Sequence, residues 1–264
     1  MISLFPAREI AVDLFGWQIR WYGVLYLAAF GIVWYLLPRL AKYRDLELSK
    51  EDWLYVLTLG MAGVLVGGRL GFALLYEPGY FLAHPKEIFT LWQGGMSWHG
   101  GSVGVGLALW LASRQLKINF WKLADVAVVS AALGLAAGRL GNVINGELFA
   151  GPLAQFFAVA VNVLIFGILF WNLRISAGFR KTPLSFSLSK SKRVLILAGT
   201  KDSGYVAALF LILAGVVRFG MEYLRVQQYE LIFGLTRGQL LSLIIVVTGG
   251  LLMIWRRRLE KEQK

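Results

Sequence analysis

Long runs of apolar residues separated by short polar stretches are the dominant pattern along the chain. A helix needs roughly 20 mostly apolar residues to cross about 30 Å of hydrocarbon, and seven windows approach that length. Because lipid offers no water to unpaired backbone amides, and because the windows are too long and too uniformly apolar for barrel strands, we predict helices. The windows cover residues 19–37, 53–76, 98–112, 123–144, 154–171, 205–224 and 239–255.

The composition agrees with a membrane protein, because 58% of the 264 residues are apolar and only 16% are charged. We therefore predict an all-α integral membrane protein, a bundle of about seven transmembrane helices that forms a single membrane domain over residues 1–264. A segment rich in Ser, Lys and Arg, at about 174–203, is interpreted as a basic, flexible cytoplasmic loop. The third window opens with four glycines, so its start is expected to be irregular.

The positive charge is unevenly distributed between alternate connections. The net charge is +12, and nineteen Lys and Arg residues fall on the side of connections one, three and five and the C-terminal tail, against five on the opposite side. The positive-inside rule then places the N-terminus outside and the C-terminus in the cytoplasm. Topology and anionic headgroups explain the charge, so we expect a membrane partner and no nucleic acid.

Cysteine is absent from the sequence, which excludes disulfides and a cysteine nucleophile that belongs to the chain itself. Any thiol chemistry must therefore use the thiol of a substrate. Histidines and clustered carboxylates are also too few for a plausible set of metal ligands. We expect neither a metal nor any other cofactor.

Ionisable residues inside the apolar windows are the first candidates for function, because a charge in hydrocarbon costs about 2.5–3.5 kcal/mol even on the lenient insertion scale. The clearest of them are Arg69, Asp125, Arg139, Arg218 and Glu222. Arg218, Glu222 and Arg225 are spaced to project from one helix face. They are interpreted either as a structural ion pair that locks two helices or as part of a site.

A second polar run begins at Arg139 and continues through Asn142, Asn145, Gly146 and Glu147. A guanidinium presents a planar fork that matches phosphate oxygens, and neighbouring carboxamides add donors without cancelling its charge. The run suits a phospholipid headgroup. The alternative is a polar helix end that its neighbours satisfy.

Three further side chains are ambiguous from the sequence alone. His99 is flanked by the pairs Gly94–Gly95 and Gly100–Gly101, which allow close backbone approach. It is either a packing residue or a base. Tyr22 and Tyr26, four residues apart in the first window, are either interfacial anchors or site residues.

Four motifs together resemble the prolipoprotein diacylglyceryl transferases of bacteria. The motifs are WYGVLY from Trp21, GGRLG from Gly67, GGMSWHGG from Gly94 and GRLGNVINGE from Gly138. Their order and spacing, with RFGMEYLR from Arg218 and GQLLSL from Gly238, extend the resemblance over most of the chain. It implies a multi-pass enzyme of the bacterial inner membrane that moves a diacylglyceryl group from phosphatidylglycerol to the lipobox cysteine of a prolipoprotein and releases glycerol phosphate.

The resemblance also implies roles for individual residues. Arg139 is expected to bind the phosphatidylglycerol headgroup, and His99, Arg218 and Glu222 to take part in catalysis with it. The other residues expected to bind this lipid are Asn142, Asn145, Gly146, Glu147, Tyr22 and Tyr26. The partners implied are phosphatidylglycerol and the signal peptide that carries the lipobox cysteine.

The chain departs from the family pattern at two places. Phe157 and Ala158 stand where a tyrosine and a glutamate are expected after the polar run, and Ala214 stands where a tyrosine precedes Arg218. Two alternatives therefore stay open: a catalytically silent relative that binds lipid or lipoprotein precursors, and a small-solute transporter that uses the buried charges as a pathway.

Overall fold

A computed structural model describes residues 10–15, 17–91, 94–145, 152–181, 203–225 and 231–262. The chain forms two compact units. The first contains Met1–Asp45 and Asp125–Lys264, and the second contains Leu46–Ala124.

Helices account for nearly all of the regular structure in the described ranges. In chain order they are α1 Trp21–Ala41, α2 Lys50–Leu75, α3 Pro78–Ala83, α4 Trp98–Gln115, α5 Phe120–Asn145, α6 Pro152–Lys181, α7 Tyr205–Met221 and α8 Arg237–Glu262. Two short 3₁₀ turns, Pro85–Phe89 and Glu222–Leu224, follow α3 and α7. Each of the seven predicted windows is matched by one long helix, and α3 lies in a connection.

Within the described ranges, six helices are long and apolar enough to cross a membrane: α1, α2, α5, α6, α7 and α8. The chain is therefore a multi-pass membrane protein. The third window, which opens with glycines, forms the 18-residue helix α4 but does not meet the same criterion. The irregular start expected there is not observed, because Ser97 caps α4 and its side chain accepts a hydrogen bond from the amide of Gly100.

Two features at the edges of the predicted helices differ from expectation. An antiparallel hairpin, β1 Ile10–Leu14 and β2 Trp17–Arg20, precedes α1 and was not predicted. The basic loop was expected to begin at Arg174, whereas α6 continues to Lys181. Residues 182–202, most of that loop, lie outside the described residues.

In the second unit, glycines on α2 and α4 let the two helix backbones touch. Gly63 and Gly67 face Gly104 and Gly100, so that a Cβ added at Gly67 would lie 2.5 Å from the carbonyl oxygen of Gly100. A Cβ at Gly104 would collide with the carbonyl oxygen of Gly63. Small residues four apart bring membrane helices close enough for extensive van der Waals contact. This contact fixes α4, which carries His99 in its first turn.

In the first unit, a buried ion pair joins the ends of several helices. The Nε atom of Arg44, just after α1, lies 2.8 Å from Oδ2 of Asp125 on α5, and both side chains are fully buried. Arg44 Nη1 also donates to the hydroxyl of Ser176 on α6 at 2.9 Å. Asp125 accepts the amides of Gly204 and Ala207 at the start of α7, at 2.8 and 2.9 Å.

Asp125 therefore has a structural role. A buried carboxylate needs both a counter-charge and hydrogen-bond donors to offset its desolvation, and Asp125 receives one guanidinium and two backbone amides. It also caps the N-terminus of α7, where the helix dipole favours a negative charge. The pair holds α1, α5, α6 and α7 at one end of the first unit.

We expect Asp125→Ala to destabilise the protein by about 3–5 kcal/mol, because it leaves the Arg44 guanidinium buried without its counter-charge. Thermal unfolding of the purified protein in detergent micelles measures the effect. Glu47→Ala, which removes an exposed carboxylate from the connection after α1, is the control and should change little. Equal stability of the two variants would refute the structural role of Asp125.

We expect Gly104→Ala to lower the stability of the second unit by about 1–3 kcal/mol, because its methyl group would force the α2 and α4 backbones apart. Gly106→Ala is the matched control, since a Cβ there meets nothing within 4 Å. Thermal unfolding of both variants compares them. A Gly104→Ala protein as stable as Gly106→Ala would show that close packing of the two helices is not needed.

Candidate active site

Three ionised side chains meet at the end of α7. An Nη2 atom of Arg218 lies 3.3 Å from Oε2 of Glu222, and Nη1 of Arg225 lies 3.4 Å from Oε1 of the same carboxylate. The side chains of Arg218 and Glu222 are 11% and 5% exposed, and that of Arg225 is 23% exposed. One carboxylate is thus shared by two guanidinium groups, the arrangement that the spacing of these residues predicts.

Arg139 belongs to the same cluster. It lies nearly two turns before the end of α5 and is close enough to Arg218 and Arg225 to interact with both electrostatically. It is also near the hydroxyl groups of Tyr22 and Tyr26 on α1. Helices α1, α5 and α7 therefore bring their polar residues to one end of the first unit, opposite the end held by the Arg44–Asp125 pair.

The two tyrosines line the α1 side of this cluster. Tyr22 donates a hydrogen bond of 3.0 Å to the hydroxyl of Tyr26, and their ring centroids are 4.7 Å apart. The ring of Tyr22 packs on Gly141, where an added Cβ would lie 3.2 Å from it. Asn142, the next residue of α5, is buried. Gly141 thus lets α1 place its tyrosines beside the end of α5.

The first turn of α8 completes the surroundings of Glu222. Thr236 and Gln239 cap the helix reciprocally: the amide of Gln239 donates to the Thr236 hydroxyl at 3.0 Å, and the amide of Thr236 to Oε1 of Gln239 at 2.9 Å. Gly238, between them, faces the carboxylate of Glu222. The positive end of the α8 dipole adds to the stabilisation of this buried anion.

Guanidinium groups outnumber carboxylates in the described part of this cluster. Among the described residues it contains the guanidinium groups of Arg139, Arg218 and Arg225 but only the carboxylate of Glu222. The cluster is therefore suited to an anionic ligand that accepts planar, forked hydrogen bonds, such as a phosphate ester.

His99 lies in the second unit and is buried in the first turn of α4. Its ring meets that of Trp98 edge to face, with centroids 5.1 Å apart. The amide of Ser97 donates to the carbonyl of Gly68 on α2 at 2.8 Å, which fixes the start of α4. The start of α4, and with it the position of His99, is thus fixed by packing against α2.

Arg69, another candidate from the sequence, binds the connection that precedes His99. It is buried on α2, and its guanidinium donates to the backbone carbonyls of Glu87, Ile88, Thr90, Gly94 and Gly95. Its role in the described structure is therefore to shape a loop. In the same connection Tyr80 donates a hydrogen bond of 2.6 Å to Glu87, which raises the pKa of the Tyr80 phenol.

Some of the predicted site residues lie together in the first unit, and others lie elsewhere or outside the described residues. Arg139, Asn142, Arg218, Glu222 and the two tyrosines lie in the first unit, and His99 in the second. The side chain of Asn145 and the whole of Gly146 and Glu147 lie outside the described residues. The sequence interpretation missed Gly141 and Gly238, whose only signal was their place within the GRLGN and GQLLSL motifs.

Among the side chains that the structure describes, no group of three or more His, Asp or Glu residues is arranged to hold a metal ion. The polar atoms of the cluster around Arg139 are mostly donors, which suit an anion rather than a cation.

Comparison with known proteins identifies the family. A family model described as prolipoprotein diacylglyceryl transferase matches residues 9–255. The phosphatidylglycerol–prolipoprotein diacylglyceryl transferase of Paracidovorax citrulli (strain AAC00-1) is 36% identical over 94% of this chain and 95% of its own. The enzyme of Chromobacterium violaceum is 36% identical over 93% of this chain and 94% of its own. That of Bordetella avium (strain 197N) is 34% identical over 98% of each chain. The chain therefore belongs to the prolipoprotein diacylglyceryl transferase family.

Proposed function

We propose that this enzyme transfers the diacylglyceryl group of phosphatidylglycerol to the lipobox cysteine of a prolipoprotein. The observation that carries this proposal is the cluster of Arg139, Arg218 and Arg225 at the end of apolar helices, in which Arg218 and Arg225 share the carboxylate of Glu222. Its guanidinium groups match the phosphate of an anionic lipid headgroup. The names and coverage of the relatives support the same reaction.

In the proposed reaction, the thiolate sulfur of the substrate attacks the glycerol carbon that bears the phosphate ester. A carbon–sulfur bond forms, the carbon–oxygen bond breaks, and glycerol phosphate leaves with the electron pair. Arg139 and Arg218 hold the phosphate and stabilise the negative charge that grows on the leaving oxygen. Asn142, Asn145, Gly146, Glu147, Tyr22 and Tyr26 are proposed to bind the rest of the headgroup.

The thiol must lose its proton before it attacks, because an unperturbed cysteine titrates near about 8.5. We assign this step to His99, as the base that accepts the proton or the group that positions it. Burial in the first turn of α4 restricts the orientation of its ring. Glu222 orients Arg218 through their ion pair.

The proposed setting is the bacterial inner membrane, with the N-terminus outside and the C-terminus in the cytoplasm. In this arrangement α4 is the seventh span, since 18 helical residues reach about 27 Å. The cluster then lies toward the outer face, where secreted prolipoproteins emerge. The phospholipid enters from the bilayer, and the apolar signal helix of the prolipoprotein brings its cysteine to the same depth.

A silent relative that binds lipid without reaction is the second candidate, and Ala158 is the observation that favours it. Ala158 is buried against Met221, with Ala154 and Val217 packed beside it. The position where the resemblance expects a glutamate is thus apolar. Such a protein would bind phosphatidylglycerol without releasing glycerol phosphate, which the assay below distinguishes.

We expect Arg139→Ala to lower the transfer rate by about a hundredfold or more, because it removes a cation from the phosphate site. Purified protein is supplied with phosphatidylglycerol and a lipobox peptide, with and without its cysteine, and glycerol phosphate release and thioether formation are measured. Arg139→Lys should recover part of the rate, since it restores the charge but not the planar fork. Arg257→Ala, at an exposed position of α8, is the control. Transfer by Arg139→Ala at the wild-type rate would exclude Arg139 from the mechanism.

We expect His99→Gln to lower the transfer rate by about 10²- to 10⁴-fold while phosphatidylglycerol binding is retained, because the base is lost and the phosphate site is not. The rate comes from the same assay, and lipid binding from a fluorescent phosphatidylglycerol analogue. His84→Gln is a matched control, since His84 is the other histidine of the chain and is exposed. If both variants transfer lipid equally well, His99 is not the base.

A further inference from the structure

We propose that Gly238 is a positioning residue for Glu222: the absence of a side chain at this point of α8 provides the space in which the Glu222 carboxylate meets its two arginines. The inference rests on the proposed function, because it assigns Gly238 a task in the same reaction. It concerns a residue that touches no reacting atom and acts only through Glu222.

The contact is direct. A Cβ built on Gly238 would lie 2.7 Å from the carboxylate carbon of Glu222 and 2.8 Å from each of its oxygens. Ordinary van der Waals contact between carbon atoms begins near 3.5 Å. Any residue other than glycine at this position would therefore displace the carboxylate or the first turn of α8.

The first turn of α8 is the less mobile of the two. The reciprocal hydrogen bonds of Thr236 and Gln239 fix the turn on one side. On the other, the hydroxyl of Ser242 donates to the carbonyl of Gly238 at 2.7 Å. Further along, an added Cβ on Gly215 of α7 would lie 2.7 Å from Val246 of α8, so the two helices are already in close contact. The carboxylate is therefore the group that moves.

Displacement of the carboxylate disturbs its ion pairs with the two arginines. Both oxygens of Glu222 are engaged, one with Arg218 at 3.3 Å and one with Arg225 at 3.4 Å. If the carboxylate withdraws, Arg218 and Arg225 lose the partner that orients them. The turnover number then falls, because misplaced guanidinium groups stabilise the charge of the transition state less well. Their positive charge still attracts the lipid, so the KM for phosphatidylglycerol does not rise.

The test compares Gly238→Ala with Gly250→Ala in full-length protein in phosphatidylglycerol-containing micelles. Gly250 is the matched control because it lies on the same helix and an added Cβ there meets nothing within 4 Å. We expect Gly238→Ala to lower kcat by about tenfold or more without raising KM, and Gly250→Ala to change neither constant. Equal kinetics for the two variants would overturn the inference, as would a fall in activity explained entirely by less folded protein.

A second comparison uses Glu222→Asp, whose side chain is shorter by one methylene group and withdraws from Gly238. Gly238→Ala should cost about tenfold in kcat beside glutamate but less than about twofold beside aspartate, because the collision is relieved. The thermal stabilities of the same four proteins should show the same coupling. Identical costs in both backgrounds would refute the contact.

The stability comparison separates the two proposals. If the wild-type protein forms no thioether product, the proposed function fails. The coupling between Gly238 and Glu222 is still decided by the four melting temperatures, since it needs no activity. If the wild type is active and the melting temperatures are additive, only the positioning role of Gly238 fails.

Discussion

An ionised side chain inside an apolar helix bundle must be offset by an opposite charge or by hydrogen-bond donors in contact with it. The first unit meets this requirement differently at its two ends. At one end, Asp125 is matched by Arg44 and two backbone amides. At the other, Glu222 is shared by Arg218 and Arg225, and Arg139 adds a further positive charge. At the first end the guanidinium and the carboxylate pair with each other, whereas the second end gathers three guanidinium groups, which suit an anion.

The two ends are connected through the same helices. Asp125 and Arg139 both lie on α5, about 21 Å apart along its axis at 1.5 Å per residue. Tyr22 is carried by α1, and Arg218 by α7, both of which the Arg44–Asp125 pair holds at the opposite end. A site built on helices that are fixed elsewhere keeps its geometry better than one built on loops. The Arg44–Asp125 pair therefore supports the arginine cluster at the other end.

The membrane-spanning helices were predictable from the sequence, because the length of a continuous apolar run is enough to indicate a span. The roles of two arginines were not. Arg69 and Arg139 both occur in a GRLG sequence, yet the guanidinium of Arg69 binds loop carbonyls, whereas Arg139 lies beside other charges. No local sequence pattern shows which hydrogen-bond acceptors the folded chain places beside each of these arginines. The face shared by Arg218 and Glu222 was predictable, because helical spacing determines it.

Glycines account for most of what the sequence interpretation missed, and for one physical reason. Lipid provides no hydrophobic force between helices, so membrane helices associate through close packing, which small residues permit. Gly67 lets the backbones of α2 and α4 meet, Gly141 accepts the ring of Tyr22, and Gly238 accepts the carboxylate of Glu222. In each case the glycine matters because a group from another segment of the chain occupies the space that a side chain would fill. The role of a glycine can therefore be assigned only when the group that packs against it is known. Gly238 is assigned a role because the Glu222 carboxylate packs against it, whereas Gly106 has open space beside it and is assigned none.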